Sequence, residues 1–174
     1  MSVVITFSRY FPSYHPRKGE PTFFVEKIWT SLNIPFPESS TVTMLENINT
    51  IELGIKKLYA FINSLCLDEF DPKFHTIRAG KRWKVGDKFS PRVWSGKPYA
   101  SKQIIIADDI KILKIWNFEI KNRELLFNGE ILGSTANIDC SINDGLLYED
   151  FLAWFKFPNP FSGQIIAWNE NVKY

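Results

Sequence analysis

The sequence predicts an α+β domain in which a small mixed β-barrel carries flanking helices. From residue 73 onward, short runs rich in β-branched and aromatic residues alternate with Gly, Pro and Asn turn patterns. Helix patterns precede this region, and one more interrupts it before a last strand, which gives the order β-α-(α)-β-β-β-β-α-β. Short strands in this order favour a small barrel over a parallel sheet flanked by helices.

The first half of the chain predicts one strand and two helices. The β-branched run VVITF at residues 3–7 is typical of a strand. Apolar residues recur at helical spacing over residues 22–32, with Thr22 as the candidate N-cap. A second amphipathic pattern predicts a helix over about residues 49–67.

The second half predicts mainly strands and one helix. Strand patterns occupy residues 73–78, 88–94, 103–107, 110–120, 124–127, 131–132 and 164–168. The Asn128-Gly129 pair predicts a tight hairpin turn. Residues 144–157 predict a helix with Asp144 near its start, where a carboxylate is favourable.

Composition predicts one cytoplasmic domain without a membrane span. The net charge is +2, from 21 Lys and Arg against 19 Asp and Glu, which is too small for coating nucleic acid by charge alone. No leader pattern is present, and no apolar run reaches the roughly 18 residues of a membrane helix. Cys66 and Cys140 are predicted to be buried, reduced thiols. With His15 and His75 as the only histidines, no metal and no cofactor are predicted.

The aromatic content is 16%, which predicts that some rings line a cleft or a stacking surface. Trp83 and Trp94 are the candidates for stacking on a base, with positions in the core as the alternative. A basic cluster between residues 73 and 88 includes Lys81 and Arg82. This cluster is predicted to track phosphates, or else to form a solvated hairpin face.

The segment KFHTIR places residues of catalytic type close together. In a regular strand Thr76 and Arg78 share one face, while His75 and Ile77 occupy the other. Lys73 reaches the face of Thr76 only if it lies in the turn before the strand. A lysine in a partly dry cleft has a lowered pKa and can act as the base for a threonine nucleophile. The alternatives are a threonine that only favours the strand and a lysine that is solvated.

The stretch KFHTIRAGKRWKVGDKF, with the strand-rich middle and INDGLLYEDFLAWF after it, resembles the ASCH family of the PUA-like superfamily. The family's signature is G-x-K-x-x-E-x-R. Lys73 and Arg78 match it, whereas Asp71 and Thr76 replace the Gly and the Glu. A branch of small ASCH-like amidohydrolases that act on N4-acetylcytidine has K-x-x-T-x-R, followed by a glutamate before the last helix. Asp144 occupies that acidic position here.

The resemblance covers roughly residues 72–157 and implies one PUA-like domain over residues 1–174, with a helical insertion at about 33–70. It implies a cleft that binds RNA or a modified nucleobase or nucleoside, with the amidohydrolase activity as the alternative. Binding ranks first because Asp144 is shorter than the family's glutamate, and a protein that has lost the site is a third possibility. The candidate residues are Arg78, Lys81, Arg82, Trp83 and Trp94 for binding, and Lys73, Thr76 and Asp144 for catalysis.

Overall fold

The protein is a mixed α+β structure with two separate sheets. The computed structural model describes residues 3–35, 70–131 and 133–174. Three helices and nine strands form in these ranges, which confirms the predicted α+β class. The helix predicted at about 49–67, Cys66 and nearly all of the proposed insertion at 33–70 lie outside the described residues.

The elements follow the chain in an order close to the predicted one. The helices are α1 (Phe24–Ser31), α2 (Ser134–Asn143) and α3 (Tyr148–Trp154). The strands are β1 (Val3–Phe7), β2 (His75–Ala79), β3 (Lys88–Trp94), β4 (Gln103–Ile105), β5 (Ile110–Lys111), β6 (Lys114–Lys121), β7 (Glu124–Phe127), β8 (Glu130–Ile131) and β9 (Phe161–Ala167). Strands β1, β3 and β7 have the predicted bounds.

The first sheet has the order β1-β3-β4, with β5 also paired to β3. Strands β1 and β3 run parallel, with Val3 opposite Phe89, and β4 and β5 pair with β3 in antiparallel fashion. Ile5 and Phe7 of β1 alternate with more exposed neighbours, so one face of this sheet enters the core.

The second sheet has the order β2-β9-β6-β7-β8, and all of its pairings are antiparallel. Its hairpin between β7 and β8 turns at Asn128 and Gly129, whose φ angles are +52° and +89°. Asn and Gly tolerate this left-handed backbone better than other residues, so the predicted hairpin forms where the Asn-Gly pair stands.

Aromatic side chains form much of the core between the two sheets. Trp168, which follows β9, contacts Phe7 and Phe89 of the first sheet with ring centroids 6.5 and 5.8 Å apart. Phe118 of β6 contacts Phe151 of α3 at 5.9 Å. A large share of the aromatic content therefore stabilises packing between layers.

The predicted closed barrel is not seen, because neither sheet closes in the described part of the chain. The run at residues 110–120, predicted as one strand, changes sheets instead. The Ile112 N–H donates to the Asp87 carbonyl beside the first sheet, at 2.8 Å, and the Leu113 N–H donates to Ala167 of β9, also at 2.8 Å. Ile112 is fully buried at this crossing. Both halves contribute buried apolar side chains, Ile110 and Ile112 from the first and Phe118 and Ile120 from the second, although they pair with different sheets.

The helix predicted over residues 144–157 forms at Tyr148–Trp154, but its predicted start at Asp144 is wrong. Asp144 is the C-cap of α2, and Gly145 follows it with φ +78°. The N–H groups of Gly145 and Leu146 donate to the carbonyls of Ile142 and Ser141, at 2.8 and 2.9 Å. This is a Schellman motif, in which a glycine takes the left-handed position after a helix. The Asp-Gly pair therefore ends one helix, and α3 begins only after the following turn.

The N-terminus of α1 differs from its prediction in a smaller way. Its N-cap is Phe23, with φ +57°, and not Thr22. The Thr22 hydroxyl donates to the Ser8 carbonyl at 2.7 Å, so it ties the preceding loop to the helix start. None of the described helices has the length and apolar character needed to cross a bilayer.

Candidate functional site

A cleft of about 220 Å³ lies where the end of β1, the start of β2 and the C-termini of α2 and α3 meet. Five residues singled out in the sequence line it: Lys73, Thr76, Arg78, Trp94 and Asp144. The topology thus brings together residues that are remote in the chain. The rest of the lining comes mainly from β1, α1, α3 and the connection between β3 and β4.

Lys73 enters the cleft from the segment before β2. Its backbone N–H donates to the Lys27 carbonyl of α1 at 3.0 Å, and the Phe74 N–H donates to the Asn143 carbonyl of α2 at 2.8 Å. These bonds hold the segment between two helices, and the strand begins only at His75. The Lys73 side chain therefore reaches the cleft that Thr76 lines, although regular alternation would separate them.

Lys73 and Asp144 form a buried ion pair at one end of the cleft. Lys73 Nζ lies 2.5 Å from Asp144 Oδ1 and also donates to the Asp144 backbone carbonyl. The lysine is only 1% exposed, and its Nζ lies 4.4 Å from the centroid of the Phe24 ring. Burial lowers the pKa of Lys73 to about 8, although the neighbouring carboxylate acts to raise it. Burial also raises the pKa of Asp144, against the attraction of Lys73.

Thr76 is buried, with 5% exposure, and lines the cleft. His75 is fully buried and does not line the cleft, whereas Ile77 does. The predicted separation of the two strand faces therefore holds for His75 and not for Ile77. Strand β2 is the edge strand of its sheet, so the cleft is not confined to one of its faces.

Arg78 adds a second cation to the cleft. One of its terminal nitrogens donates to the Thr6 carbonyl at 2.9 Å, and its guanidinium carbon lies 5.1 Å from the Phe7 ring centroid. Its Nε is buried and has no hydrogen-bond partner in the described ranges. Burial lowers the pKa of Arg78 to about 10. Two cations and one carboxylate line the cleft, so one positive charge is uncompensated there and suits an anionic or oxyanionic group.

Aromatic rings form the remaining walls. Trp94 lies 5.3 Å from Tyr99, ring centroid to centroid, with the planes tilted by 51°. Tyr99 is 91% exposed and has φ +63°, a backbone conformation that is uncommon for tyrosine. Phe24, Trp154 and Tyr99 were not singled out in the sequence. The turn pattern SGKP just before Tyr99 is the one feature that could have indicated an exposed ring.

Three of the proposed binding residues do not reach the cleft. Lys81 pairs with Glu119 at 3.3 Å on the surface. Arg82 lies over the ring of Trp83, with its guanidinium carbon 4.8 Å from the ring centroid. Trp83 is buried and packs on Phe89, so it takes the alternative position in the core.

Residues 3–35, 70–131 and 133–174 contain neither a metal site nor a disulfide. Their His, Cys, Asp and Glu side chains form no group of three or more that could hold a metal ion. Cys140 is a free, buried thiol. No protein-family model, curated protein or solved structure matches the sequence. The function is therefore inferred from the geometry of the cleft.

Proposed function

We propose that the cleft binds a planar, nucleobase- or nucleoside-type molecule that carries an acylated amine, and hydrolyses its amide bond. The observation that carries this proposal is that Lys73, Thr76, Arg78 and Asp144 line one cavity, with the lysine buried beside the carboxylate. Buried titratable groups with shifted pKa values that meet in a cleft are typical of active sites.

The size and walls of the cleft support a small ligand. A volume of about 220 Å³ lies below the roughly 300–1,000 Å³ of pockets for drug-sized molecules, so it suits one ring system with a short acyl group. Trp94 and Tyr99 offer ring faces on which a base can stack. Lys81 and Arg82 lie outside the cleft, so this proposal assigns them no phosphate contacts.

The reaction would proceed through the threonine. Thr76 Oγ1 attacks the amide carbonyl carbon, its proton passes to the free amine of Lys73, and the carbonyl oxygen becomes an oxyanion. The C–N bond then breaks, and the leaving nitrogen takes the proton from Lys73. Water hydrolyses the resulting threonine ester, again with Lys73 as the base. The products are a carboxylic acid, an amine and the regenerated hydroxyl.

Arg78 would stabilise the oxyanion. Its guanidinium is fixed by the bond from one terminal nitrogen to the Thr6 carbonyl, and the residue lines the cleft. A fixed donor in a water-poor cleft stabilises developing negative charge more strongly than a solvated one. The uncompensated positive charge of the cleft acts in the same direction.

The arrangement also supports the ASCH resemblance and a PUA-like fold as a proposal. Lys73 of the K-x-x-T-x-R pattern lies just before a strand and Thr76 lies in it, and Asp144, several strands later, contacts the lysine. The branch implies a lysine, a threonine and an acidic residue in this order along the chain, and the three corresponding residues line one cleft here. We therefore place amide hydrolysis ahead of binding alone.

Binding without hydrolysis is the second candidate, and one observation favours it. Lys73 Nζ donates to the backbone carbonyl of Asp144, and Lys27 Nζ donates to that of Gly145 at 2.7 Å. Both lysines thus bond to carbonyls at the C-terminus of α2, where cations are favourable. A lysine with this structural task need not act as a base.

The test is release of acetate from N4-acetylcytidine by the purified protein. We expect wild type to release acetate and cytidine. Thr76→Val, which removes the hydroxyl and keeps the branched shape, should abolish release. Thr30→Val is the matched control, because Thr30 lies outside the cleft. Its hydroxyl donates to the Glu26 backbone carbonyl within α1 at 3.0 Å.

The outcomes separate the two candidates. Binding of N4-acetylcytidine without acetate release would favour the second candidate. Full activity in Thr76→Val would remove the threonine as nucleophile. A parallel titration with single-stranded RNA at two salt concentrations tests for a polymer ligand, whose affinity falls steeply with salt. Tight, salt-sensitive RNA binding with no nucleoside binding would overturn the proposal.

A further inference from the structure

His75 lies on the side of Asp144 away from the cleft, and its hydrogen-bond pattern defines its tautomer. The ring is fully buried, and its Nε2 lies 3.1 Å from the Cys140 carbonyl oxygen. A carbonyl oxygen only accepts, so Nε2 carries the hydrogen in this bond. Burial and the neighbouring Lys73 hold the pKa of His75 well below its ordinary value, so the ring is neutral. Nδ1 then presents a lone pair.

That lone pair faces the buried carboxyl of Asp144. The distance between His75 Nδ1 and Asp144 Oδ1 is 3.6 Å, and Nδ1 has no hydrogen-bond partner in the described ranges. Two acceptors face each other when the carboxyl is ionised, which is unfavourable in a dry interior. The same contact becomes favourable when Oδ1 carries a hydrogen that it can donate to Nδ1.

The other groups around Asp144 act in both directions. Lys73 shares the same Oδ1, and the charges of Arg78 and Lys27 favour the carboxylate. Burial, and the position of Asp144 at the negative end of the α2 dipole, favour the neutral acid. On the far side of His75 lie the Cys140 thiol and the Tyr174 ring, whose centroid is 5.7 Å from the imidazole. Neither of these supplies a charge to Nδ1.

We propose that His75 is a positioning residue that accepts a hydrogen bond from Asp144 when the carboxyl holds the proton shared with Lys73, and thereby favours the free amine of Lys73. The proton moves from Nζ to Oδ1, so an ammonium and a carboxylate become an amine and a carboxylic acid with no change in net charge. Rotation about the Cε–Nζ bond then turns the amine lone pair toward the cleft. The inference rests on the proposed function, in which that amine is the base for Thr76.

The test compares wild type with His75→Gln, whose amide N–H can keep the bond to the Cys140 carbonyl while the ring nitrogen facing Asp144 is lost. We expect kcat for N4-acetylcytidine at pH 7 to fall about tenfold, because a rise of one unit in the pKa of Lys73 lowers the population of its free amine about tenfold. At pH 9.5, where Lys73 is a free amine in both proteins, the rates should converge. KM should not change.

Tyr174→Phe is the control, because it keeps the ring that contacts the imidazole and removes only the hydroxyl, which accepts a hydrogen bond from Asn143 Nδ2 at 2.9 Å. It should change the rate little and equally at both pH values. A His75→Gln defect of the same size at pH 7 and pH 9.5 would indicate a merely structural role and would overturn the inference.

A spectroscopic measurement separates this inference from the proposed function. With carbon-13 in the Asp144 carboxyl, we expect the wild-type resonance at pH 7 to lie toward the protonated position, and that of His75→Gln toward the carboxylate position. This shift without any hydrolysis by wild type would retain the inference and reject the proposed activity. An unchanged resonance would reject the inference. If His75→Gln does not fold, the nitrogen-15 chemical shift of His75 Nδ1 in wild type is the test. A shift at pH 7 typical of a lone pair without a hydrogen bond would overturn the inference.

Discussion

Asp144 Oδ1 lies 2.5 Å from Lys73 Nζ, although its side chain is one methylene shorter than the glutamate of the amidohydrolase branch. The contact is possible because Asp144 is the C-cap of α2 and the Phe74 N–H bonds directly to Asn143, the last residue of that helix. The backbone of Lys73 is thereby held next to the helix end. The position of the chain offsets the shorter carboxyl.

Removing the carboxyl group of Asp144 should destabilise the protein, and the size of the loss should depend on pH. In Asp144→Asn, Lys73 loses the acidic partner with which it shares a proton, so the pKa of Lys73 falls below about 8. The folded variant then binds fewer protons than wild type below pH 8. We expect the loss in free energy of unfolding to be about 2 kcal/mol larger at pH 6 than at pH 9.

Urea denaturation at the two pH values measures this difference. Glu119→Gln is the matched control, because Glu119 pairs with Lys81 at 3.3 Å and both side chains are well exposed, at 30% and 53%. Water already screens that pair, so its loss should be smaller and similar at both pH values. An equal loss at pH 6 and pH 9 in Asp144→Asn would contradict the assigned pKa of Lys73.

Lys73 should make stability rise with pH above about pH 8. Its pKa is about 8 in the folded protein and 10.5 ordinarily, so the unfolded chain binds more protons between these values. The unfavourable contribution is therefore complete below pH 8 and is relieved as pH rises to about 10.5. Compared with Lys73→Met, wild type should gain free energy of unfolding from pH 7.5 to pH 9.5.

Denaturation curves of the two proteins at both pH values test this difference. Parallel pH dependence in wild type and Lys73→Met would show that the lysine does not titrate in this window.

Tyr99 should contribute to ligand affinity and not to stability. The ring is 91% exposed, and φ +63° is unfavourable for its backbone. Tyr99→Ala should leave the free energy of unfolding unchanged and raise the Kd for N4-acetylcytidine about tenfold, a typical loss for one stacked ring. Titration calorimetry measures the Kd. Tyr10→Ala, which removes a half-exposed ring outside the cleft, should not change it.

Gly145 should be required for both the helix end and the site. An added Cβ would be strained at φ +78° and would lie 3.2 Å from Lys27 Cδ and 3.4 Å from Lys73 Cβ. Gly145→Ala should therefore lower the free energy of unfolding by more than about 1 kcal/mol and reduce activity. Gly80→Ala shares the strain at φ +81° but meets no atom within 4 Å, so it should reduce stability alone. Equal effects of the two changes would indicate that the contact with Lys27 is unimportant.

The sequence predicted the local elements better than their assembly. VVITF and KFSPRVW became β1 and β3 with the expected bounds, because β-branched runs bounded by turns have few alternatives. The strand period predicted that Thr76 and Arg78 share one face, and only the resemblance predicted Lys73 and Asp144 beside them in the cleft that the four residues line. The change of sheets at Ile112 could not be predicted, since an apolar run has the same pattern whichever sheet it joins.

The helices at residues 134–154 show a second limit. The segment STANIDCSIN of α2 has few strong helix formers, and its place depends on buried contacts such as those of Cys140. The Asp144-Gly145 pair was assigned to a helix start from the charge of the aspartate. Gly145 favours a helix end instead. The structure has the helix end, because the Gly145 and Leu146 N–H groups bond to the carbonyls of Ile142 and Ser141.

The position of β9 determines when this protein can complete its second sheet during synthesis. Both β2 and β6 pair with β9, and His75 and Lys114 both lie opposite Ala167. Until β9 has been synthesised, β2 has no partner strand among those described, and β6 has only the hairpin of β7 and β8. A growing chain therefore exposes unpaired strand edges from the synthesis of β2 until that of β9, the condition under which nascent proteins aggregate or recruit chaperones.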